Sequence, residues 1–277
     1  MVVIGGGAVG ASCLFHLTEA GVHDVRLIEK DELTSGSTWH AAGNIPTYAT
    51  SWLGMRAGNY AWRLYKSLSE RVGYPITYRH TGAFWPAHTP DRMDLFHHLI
   101  GVSKSAGFEL SMLHSSEMEE RHPFYRCDET VLGAILDPYE GDIDPSQLTQ
   151  ALAHGAREAG ATVARFTRVE CIEPTKEGGW RVRTNQGDVI CEVVVNAAGF
   201  YGAQIAAMVG DQIPITVLEH QYIVTEHLDE LGRQRELFPL VRDPDIRFYL
   251  RREGNALLLG SYGHPGRPAF DDGLPDD

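Results

Sequence analysis

Val2-Val3-Ile4-Gly5-Gly6-Gly7-Ala8-Val9-Gly10 opens the chain, and 19 further positions lead to Glu29. The β-branched run Val2–Ile4 reads as a strand that feeds straight into a glycine turn. From Val9 to Ala20 the apolar residues Val9, Cys13, Leu14 and Leu17 recur at helical spacing, and Gly21 ends the run. Val25-Arg26-Leu27-Ile28-Glu29 reads as a second strand, completing a β-α-β unit of parallel strands with a right-handed crossover. Within that unit Gly5, Gly7 and Gly10 form G-x-G-x-x-G. The first glycine makes the tight turn, the second lets the backbone approach a pyrophosphate, and the third lets helix and strand pack closely. The helix N-terminus adds N–H donors and partial positive charge. Glu29, at the end of the second strand, is placed to accept the ribose hydroxyls of an adenosine, which argues against a 2′-phosphate and hence against NADP. NAD and FAD share this fingerprint, so the turn alone leaves both open.

Composition narrows the setting. The chain has 277 residues, 24 Lys+Arg against 37 Asp+Glu and a net charge of -13, which argues against a nucleic-acid partner. With 43% hydrophobic and 22% charged residues it can fill a core rather than remain disordered. Cys13, Cys127, Cys171 and Cys191 are too widely spaced for a paired metal motif or a disulfide framework, and read as reduced thiols of a cytosol or organelle matrix. The His97-His98 pair has no spacing that assembles a metal site. No apolar stretch approaches the ~18 residues of a bilayer span, so no membrane and no secretion are expected. Helices are expected over Trp52–Arg71, from Thr89-Pro90-Asp91 to Ala106, and from Asp144-Pro145-Ser146 to Gly160. Strands are expected around Gly82 between Tyr78 and Ala87, over Val163–Phe166, Trp180–Thr184 and Val189–Val195, and through a β-like stretch from Ile213 to Tyr262. A first strand of only three residues, against the usual ~5–6, suggests an incomplete beginning. The acidic Asp271-Asp272-Gly273-Leu274-Pro275-Asp276-Asp277 suggests a frayed or truncated end.

The choice of cofactor turns on Leu33-Thr34-Ser35-Gly36-Ser37-Thr38-Trp39-His40-Ala41-Ala42-Gly43. This stretch resembles the flavin-linked N-methylglycine dehydrogenases, namely dimethylglycine and sarcosine dehydrogenase, within the D-amino-acid-oxidase-like flavoproteins. The resemblance implies FAD, with His40 covalently joined to the flavin ring. Ser35 to Ser37 can turn the chain back over the pyrophosphate, with Ser37 and Thr38 among the cofactor contacts. Val194-Val195-Asn196-Ala197-Ala198-Gly199 resembles the strand-to-turn segment that closes against the cofactor, which brings in Ala198 and Gly199. Leu218-Glu219-His220-Gln221-Tyr222 and Arg247-Phe248-Tyr249-Leu250-Arg251 resemble the strands that face the flavin. By resemblance His220 and Tyr249 line the amine pocket; Tyr222 rivals Tyr249, and Phe248 stands where some relatives have a second tyrosine. Gly260-Ser261-Tyr262-Gly263-His264 also matches, as a strand end near the pocket.

The implied fold is α/β: a Rossmann-like FAD-binding domain (1–45 and 140–210) interleaved with an antiparallel substrate domain (46–139 and 211–277). The relatives continue with a segment that closes over the flavin, and some with a folate-binding portion, so a C-terminally truncated, incomplete substrate domain without folate chemistry is expected. The implied reaction oxidises the C–H bond beside nitrogen of dimethylglycine, sarcosine or a similar N-methyl amine, leaving an iminium. Oxygen or an electron-transfer flavoprotein would take the electrons. Histidine can hold or relay a proton near neutral pH, so His220 suits a base or an amine-positioning group, with Tyr249 hydrogen bonding beside it. Arg56, Arg63, Arg247, Arg251 and Arg252 are candidates to anchor a substrate carboxylate, and the sequence selects none. Two other readings remain: an NAD-dependent dehydrogenase, which gives no reason for Trp39-His40, and a non-catalytic regulatory protein of the same fold.

Overall fold

The computed structural model describes residues 1–263, 265–270 and 273–275. His264 and the aspartates of the acidic end therefore lie outside the described residues.

Four parallel strands form the nucleotide sheet in the order Val194–Asn196, Val2–Ile4, Arg26–Ile28, Thr162–Ala164. Because Val2–Ile4 is interior, both of its faces are apolar. Val3 packs with Leu14, Phe15, Leu148 and Leu152 of the Ala8–Glu19 and Pro145–Glu158 helices. Val2 and Ile4 pack instead with Val169, Ile172 and Val182. Those residues belong to an antiparallel meander of Val169–Pro174, Trp180–Thr184 and Gly187–Cys191. An uninterrupted apolar strand is the signature of a parallel sheet covered on both sides.

The second large element is a seven-stranded mixed sheet. Its order is Tyr222–Val224, Ala256–Ser261, Phe248–Glu253, Leu240–Asp243, Ala83–Ala87, Gly133–Asp137, Ser111–Leu113. All neighbours are antiparallel except Leu240–Asp243 beside Ala83–Ala87. One face carries Phe84, Val241, Phe248 and Leu250 against Met118. Phe248 thus points away from the face that bears Tyr249. The other face packs Trp85 and Ile135 against Tyr48, Met55 and Phe96, from the Trp52–Val72 and Pro90–Ala106 helices and the segment before them. A small antiparallel sheet joins Asn44–Ile45, Gly141–Ile143 and Tyr78–Arg79.

The helices start where cap chemistry places them. Ser51 Oγ accepts from the Gly54 N–H, Thr89 Oγ1 from Arg92, and Asp144 Oδ1 from Ser146 and Gln147. Three expectations change. The Val189–Val195 run is two strands: through Cys191 it pairs with Trp180–Thr184, and from Val194 it joins Val2–Ile4, the Val2 N–H bonding to the Val193 carbonyl. One apolar run thus serves two sheets. The Val163–Phe166 strand ends at Ala164, and Phe166 takes a left-handed φ of 53° in the following turn. The β-like stretch is interrupted by a short helix, Asp229–Arg233.

His122 follows the Ser115–Arg121 helix and is wholly buried against Phe238 and Phe84. Desolvation pushes its pKa down to about 4, so the folded state holds it neutral while the unfolded chain protonates it at an ordinary value. Its contribution is complete above the unfolded pKa and is lost as pH falls from about 6.5 towards 4, on the order of 3 kcal/mol. Urea unfolding of the protein and of His122→Asn should show this acid loss in the former and a smaller one in the latter; equal slopes would refute it.

Candidate functional site

The glycine turn is held by contacts that leave no room for side chains. A Cβ at Gly10 would lie 1.9 Å from the Gly5 carbonyl oxygen, and one at Gly5, itself at φ 113°, would lie 2.3 Å from that of Ala197. The Ala197-Ala198-Gly199 segment therefore closes directly on the turn, with the Ala197 N–H bonded to the Ile4 carbonyl at 2.8 Å. Thr38 reaches the helix from the other side, its Oγ1 accepting the Ala8 N–H at 3.0 Å. Glu29 stands at the strand end, its Oε2 accepting from Gly6 N–H at 2.6 Å and Oε1 from Asp31 N–H at 2.8 Å. A carboxylate has about four lone-pair sites, so two acceptor positions remain.

The loop from Leu33 to Gly43 crosses above this turn. Thr34 takes a left-handed φ of 74° and bonds its N–H to the Gly6 carbonyl. Ser37 and His40 are exposed. The His40 ring lies 3.9 Å from that of Trp39, and its Nδ1 is 3.3 Å from the Gly36 carbonyl oxygen. The loop ends at Gly43, whose φ of 75° and 2.1 Å approach to the Ile143 carbonyl, measured for an added Cβ, exclude any other residue without a backbone shift. Just before it, the Ala42 carbonyl accepts from Arg251 Nε at 2.9 Å. Arg251 alternates with Tyr249 on one strand, so the loop is hooked to the sheet face that carries Tyr249.

On that face Gly260 is the cross-strand partner of both Tyr222 and Tyr249. The Tyr249 ring lies over Gly260, where a Cβ would sit 2.1 Å from the ring. Tyr249 is 3% exposed, and its pKa is raised by burial, with Tyr262 and Tyr222 adding to the effect and Arg251 and Arg242 opposing it. The phenol therefore remains a hydrogen-bond donor. The His220 ring is stacked on Tyr262, centroids 4.3 Å apart and planes 12° off parallel, and is 6.4 Å from Tyr249. The structure thus brings Gly5, Gly7, Gly10, Glu29, Thr38, Ala198 and Gly199 around one turn, and His220 and Tyr249 into one aromatic group with Tyr262, with Tyr222 across Gly260 from Tyr249. Sequence reading missed Arg242, Trp85 and Glu140, which continue the Tyr249 row. Glu140 is wholly buried; desolvation lifts its pKa to about 7, opposed by Arg242 and reinforced by Asp137.

A family model described as DAO, FAD dependent oxidoreductase, matches residues 1–277. The chain belongs to this family. Among relatives, dimethylglycine dehydrogenase, mitochondrial, of Rattus norvegicus is 37% identical over 262 residues, covering 94% of this chain. Sarcosine dehydrogenase, mitochondrial, of Homo sapiens is 31% identical over 268 residues, covering 95%. This DAO-family chain spans 30% and 29% of their respective lengths. The crystal structure of L-proline dehydrogenase from P. horikoshii superposes with a TM-score of 0.86 at 27% identity, over 98% of this chain and 71% of the other.

FAD is the family cofactor, and the turn fits it. The backbone is bare where a pyrophosphate would approach, Thr38 flanks the helix N-terminus, Glu29 keeps free acceptors, and Val9 in the first helical turn is 73% exposed. No helix among the described residues is long and apolar enough to cross a membrane. Gly10→Ala should destabilise the fold by roughly 2 kcal/mol or more, because the added methyl meets backbone and cannot relax cheaply. Thermal unfolding of the apoprotein reads this out, and an unchanged midpoint would refute the close packing.

Proposed function

We propose that this chain forms the FAD-binding and substrate-facing part of an oxidoreductase acting on an N-methylated amino acid of the dimethylglycine or sarcosine type. When bound, FAD supplies the two-electron acceptor for removal of a hydride from the carbon beside nitrogen, leaving an iminium that hydrolyses to the demethylated amine. The observation that carries this reading is the Arg251 hook. It joins the loop bearing His40 to the sheet face bearing Tyr249, which supports reading the nucleotide site and the aromatic group as parts of one site.

In this reading the N–H groups at the start of the Ala8–Glu19 helix, with Ser37 and Thr38, hold the pyrophosphate, and Glu29 takes the ribose. Ala198 and Gly199 close against the cofactor. The rings of His220, Tyr249 and Tyr262 give a methylated ammonium group apolar contact for its methyls and negative ring faces for its charge. His220 then holds the ammonium proton, freeing the nitrogen lone pair, while the protonated Tyr249 hydroxyl donates towards the bound amine. His40, exposed on its loop, is the residue we assign to covalent attachment of the flavin. The division into 1–45 with 140–210 and 46–139 with 211–277 fits this reading, since the parallel strands fall in the first part and the seven-stranded sheet in the second. The relatives at 37% and 31% identity support the substrate class, and their mitochondrial names support an organelle matrix.

The test is to precipitate the protein as purified with acid and measure flavin in pellet and supernatant. Yellow colour should stay in the pellet and move to the supernatant in His40→Ala. Flavin released by the unaltered protein would remove the covalent assignment, and no flavin in either fraction would remove the enzymatic reading. With loaded protein, His220→Ala should slow reduction by sarcosine or dimethylglycine by about 10²-fold or more, as expected for losing a proton-transfer group. An undiminished rate would exclude His220 from the proton transfer.

A further inference from the structure

Thr162–Ala164 is the last strand of the parallel sheet, with Arg26–Ile28 on one side and no strand among the described residues on the other. The Thr162 N–H bonds to the Val25 carbonyl at 3.0 Å, and the Ala164 carbonyl accepts from the Glu29 N–H at 2.9 Å, so both residues direct these groups into the sheet. Peptide groups alternate in direction along a strand, which turns the Val163 N–H and C=O to the open edge. Beside that edge runs a groove of about 370 Å³. Thr162, Val163 and Arg165 line its strand side, Gln150 and Arg157 of the Pro145–Glu158 helix its other side, and Leu33 one wall. Gln150 and Arg157 are seven positions apart, two turns along one helix face or about 10 Å. The volume suits a small metabolite rather than a single water, whose share of the liquid is about 30 Å³.

The side chains that converge there are rich in donors. Arg157, exposed in the last helical turn, has no ion pair or side-chain hydrogen bond among the described residues. Arg165 is held at Nη1 alone, by the two carboxylate oxygens of Glu32 at 2.8 and 2.7 Å, which leaves Nη2 and Nε as an open fork. Both side chains of that pair are about half exposed, so water screens it and a competing anion can replace Glu32 at little cost. Gln150 adds an amide and Val163 a backbone N–H.

We propose that this groove is a second ligand site, for a small anion with two or more negative charges on carboxylate or phosphate groups, held by Arg157 and Arg165 with the Val163 N–H as backbone donor. Guanidinium forks and free N–H groups are the partners that such oxyanions take. The net charge of -13 repels anions at long range, which favours a ligand able to engage both guanidinia at once over a singly charged one. The site is distinct from the glycine turn, and Leu33 is the wall between them: it lines the groove, and its Cδ2 would lie 2.7 Å from a Cβ at Gly6. The inference therefore stands apart from the choice of amine substrate.

Calorimetric titration with citrate and, separately, with pyrophosphate tests this, in low salt and with excess FAD so that pyrophosphate does not report the glycine turn. Arg157→Gln/Arg165→Gln is the test variant. Arg181→Gln/Arg183→Gln, on the Trp180–Thr184 strand of the meander, removes the same two charges elsewhere and is the reference. At least one probe should bind the unaltered protein and the reference alike, and bind the test variant about tenfold or more weakly. Binding of citrate alone marks a carboxylate source and of pyrophosphate alone a phosphorylated one; either sustains the site. No binding of either probe at millimolar concentration makes the arginines guards of an exposed strand edge and overturns the proposal. Equal binding by all three proteins, which places the anion elsewhere, or equal losses in the two double variants, which leaves only net charge, overturns it as well.

Discussion

Arg251 is the point on which the two halves of the molecule turn. The residue is 7% exposed, a position that a guanidinium holds only when its donors are met. One donor goes to the Ala42 carbonyl and others towards Asp142 and Glu253, while Asp142 is also paired with Arg79. Ala42 lies near the end of the loop over the glycine turn, Asp142 and Arg79 belong to the small three-stranded sheet, and Glu253 shares Arg251's own strand. A single buried cation thus links the Leu33–Gly43 loop, the small sheet and the sheet face that carries Tyr249. Removing one member of such a buried network leaves an uncompensated charge, which is costly in a way that losing a surface pair is not.

The same device recurs along the substrate face. Asp137, Glu140 and Asp142 lie close in sequence, at the end of the Gly133–Asp137 strand, in the turn after it and in the Gly141–Ile143 strand, and all are buried. Asp137 is satisfied by the Thr47 hydroxyl and the N–H groups of Thr47, Tyr48 and Tyr139. Glu140 holds Arg242 and Trp85, and Asp142 holds Arg79. This short segment works as a polar spine that ties together Thr47 and Tyr48, the Arg242–Trp85 pair and the small three-stranded sheet. Glycine supplies the complementary constraint. Gly10 and Gly43 permit backbone contact at the nucleotide site, and Gly260 permits the Tyr249 ring to lie flat across its neighbour.

Much of the nucleotide half was legible because its determinants are local. Strand, glycine turn, helix and Glu29 lie within the first 29 residues; elsewhere in the chain, cap residues at Thr89 and Asp144 mark helix starts with little tertiary help. The aromatic group was legible only in part. His220 and Tyr249 stand out through motif resemblance, and Tyr262 lay within a matched stretch without a distinct role. Arg242, Trp85 and Glu140 are far apart in sequence and meet only through strand register, which periodicity does not encode. The split of Val189–Val195 between two sheets was hidden for a related reason: apolar residues resume directly after Glu192, and nothing local shows that the hydrogen-bonding partner changes there.

The most direct measurement of this coupling is the FAD affinity of Arg251→Gln against the unaltered apoprotein, titrated by flavin fluorescence. Arg251 lies on the substrate sheet and is not among the residues that fit the cofactor, so a role confined to its own strand leaves affinity unchanged. If the hook holds the Leu33–Gly43 loop over the glycine turn, FAD affinity should fall by about tenfold or more, with hydrogen exchange rising in that loop and not in Val2–Ile4. Equal affinity in a folded Arg251→Gln protein would contradict the coupling of the two halves.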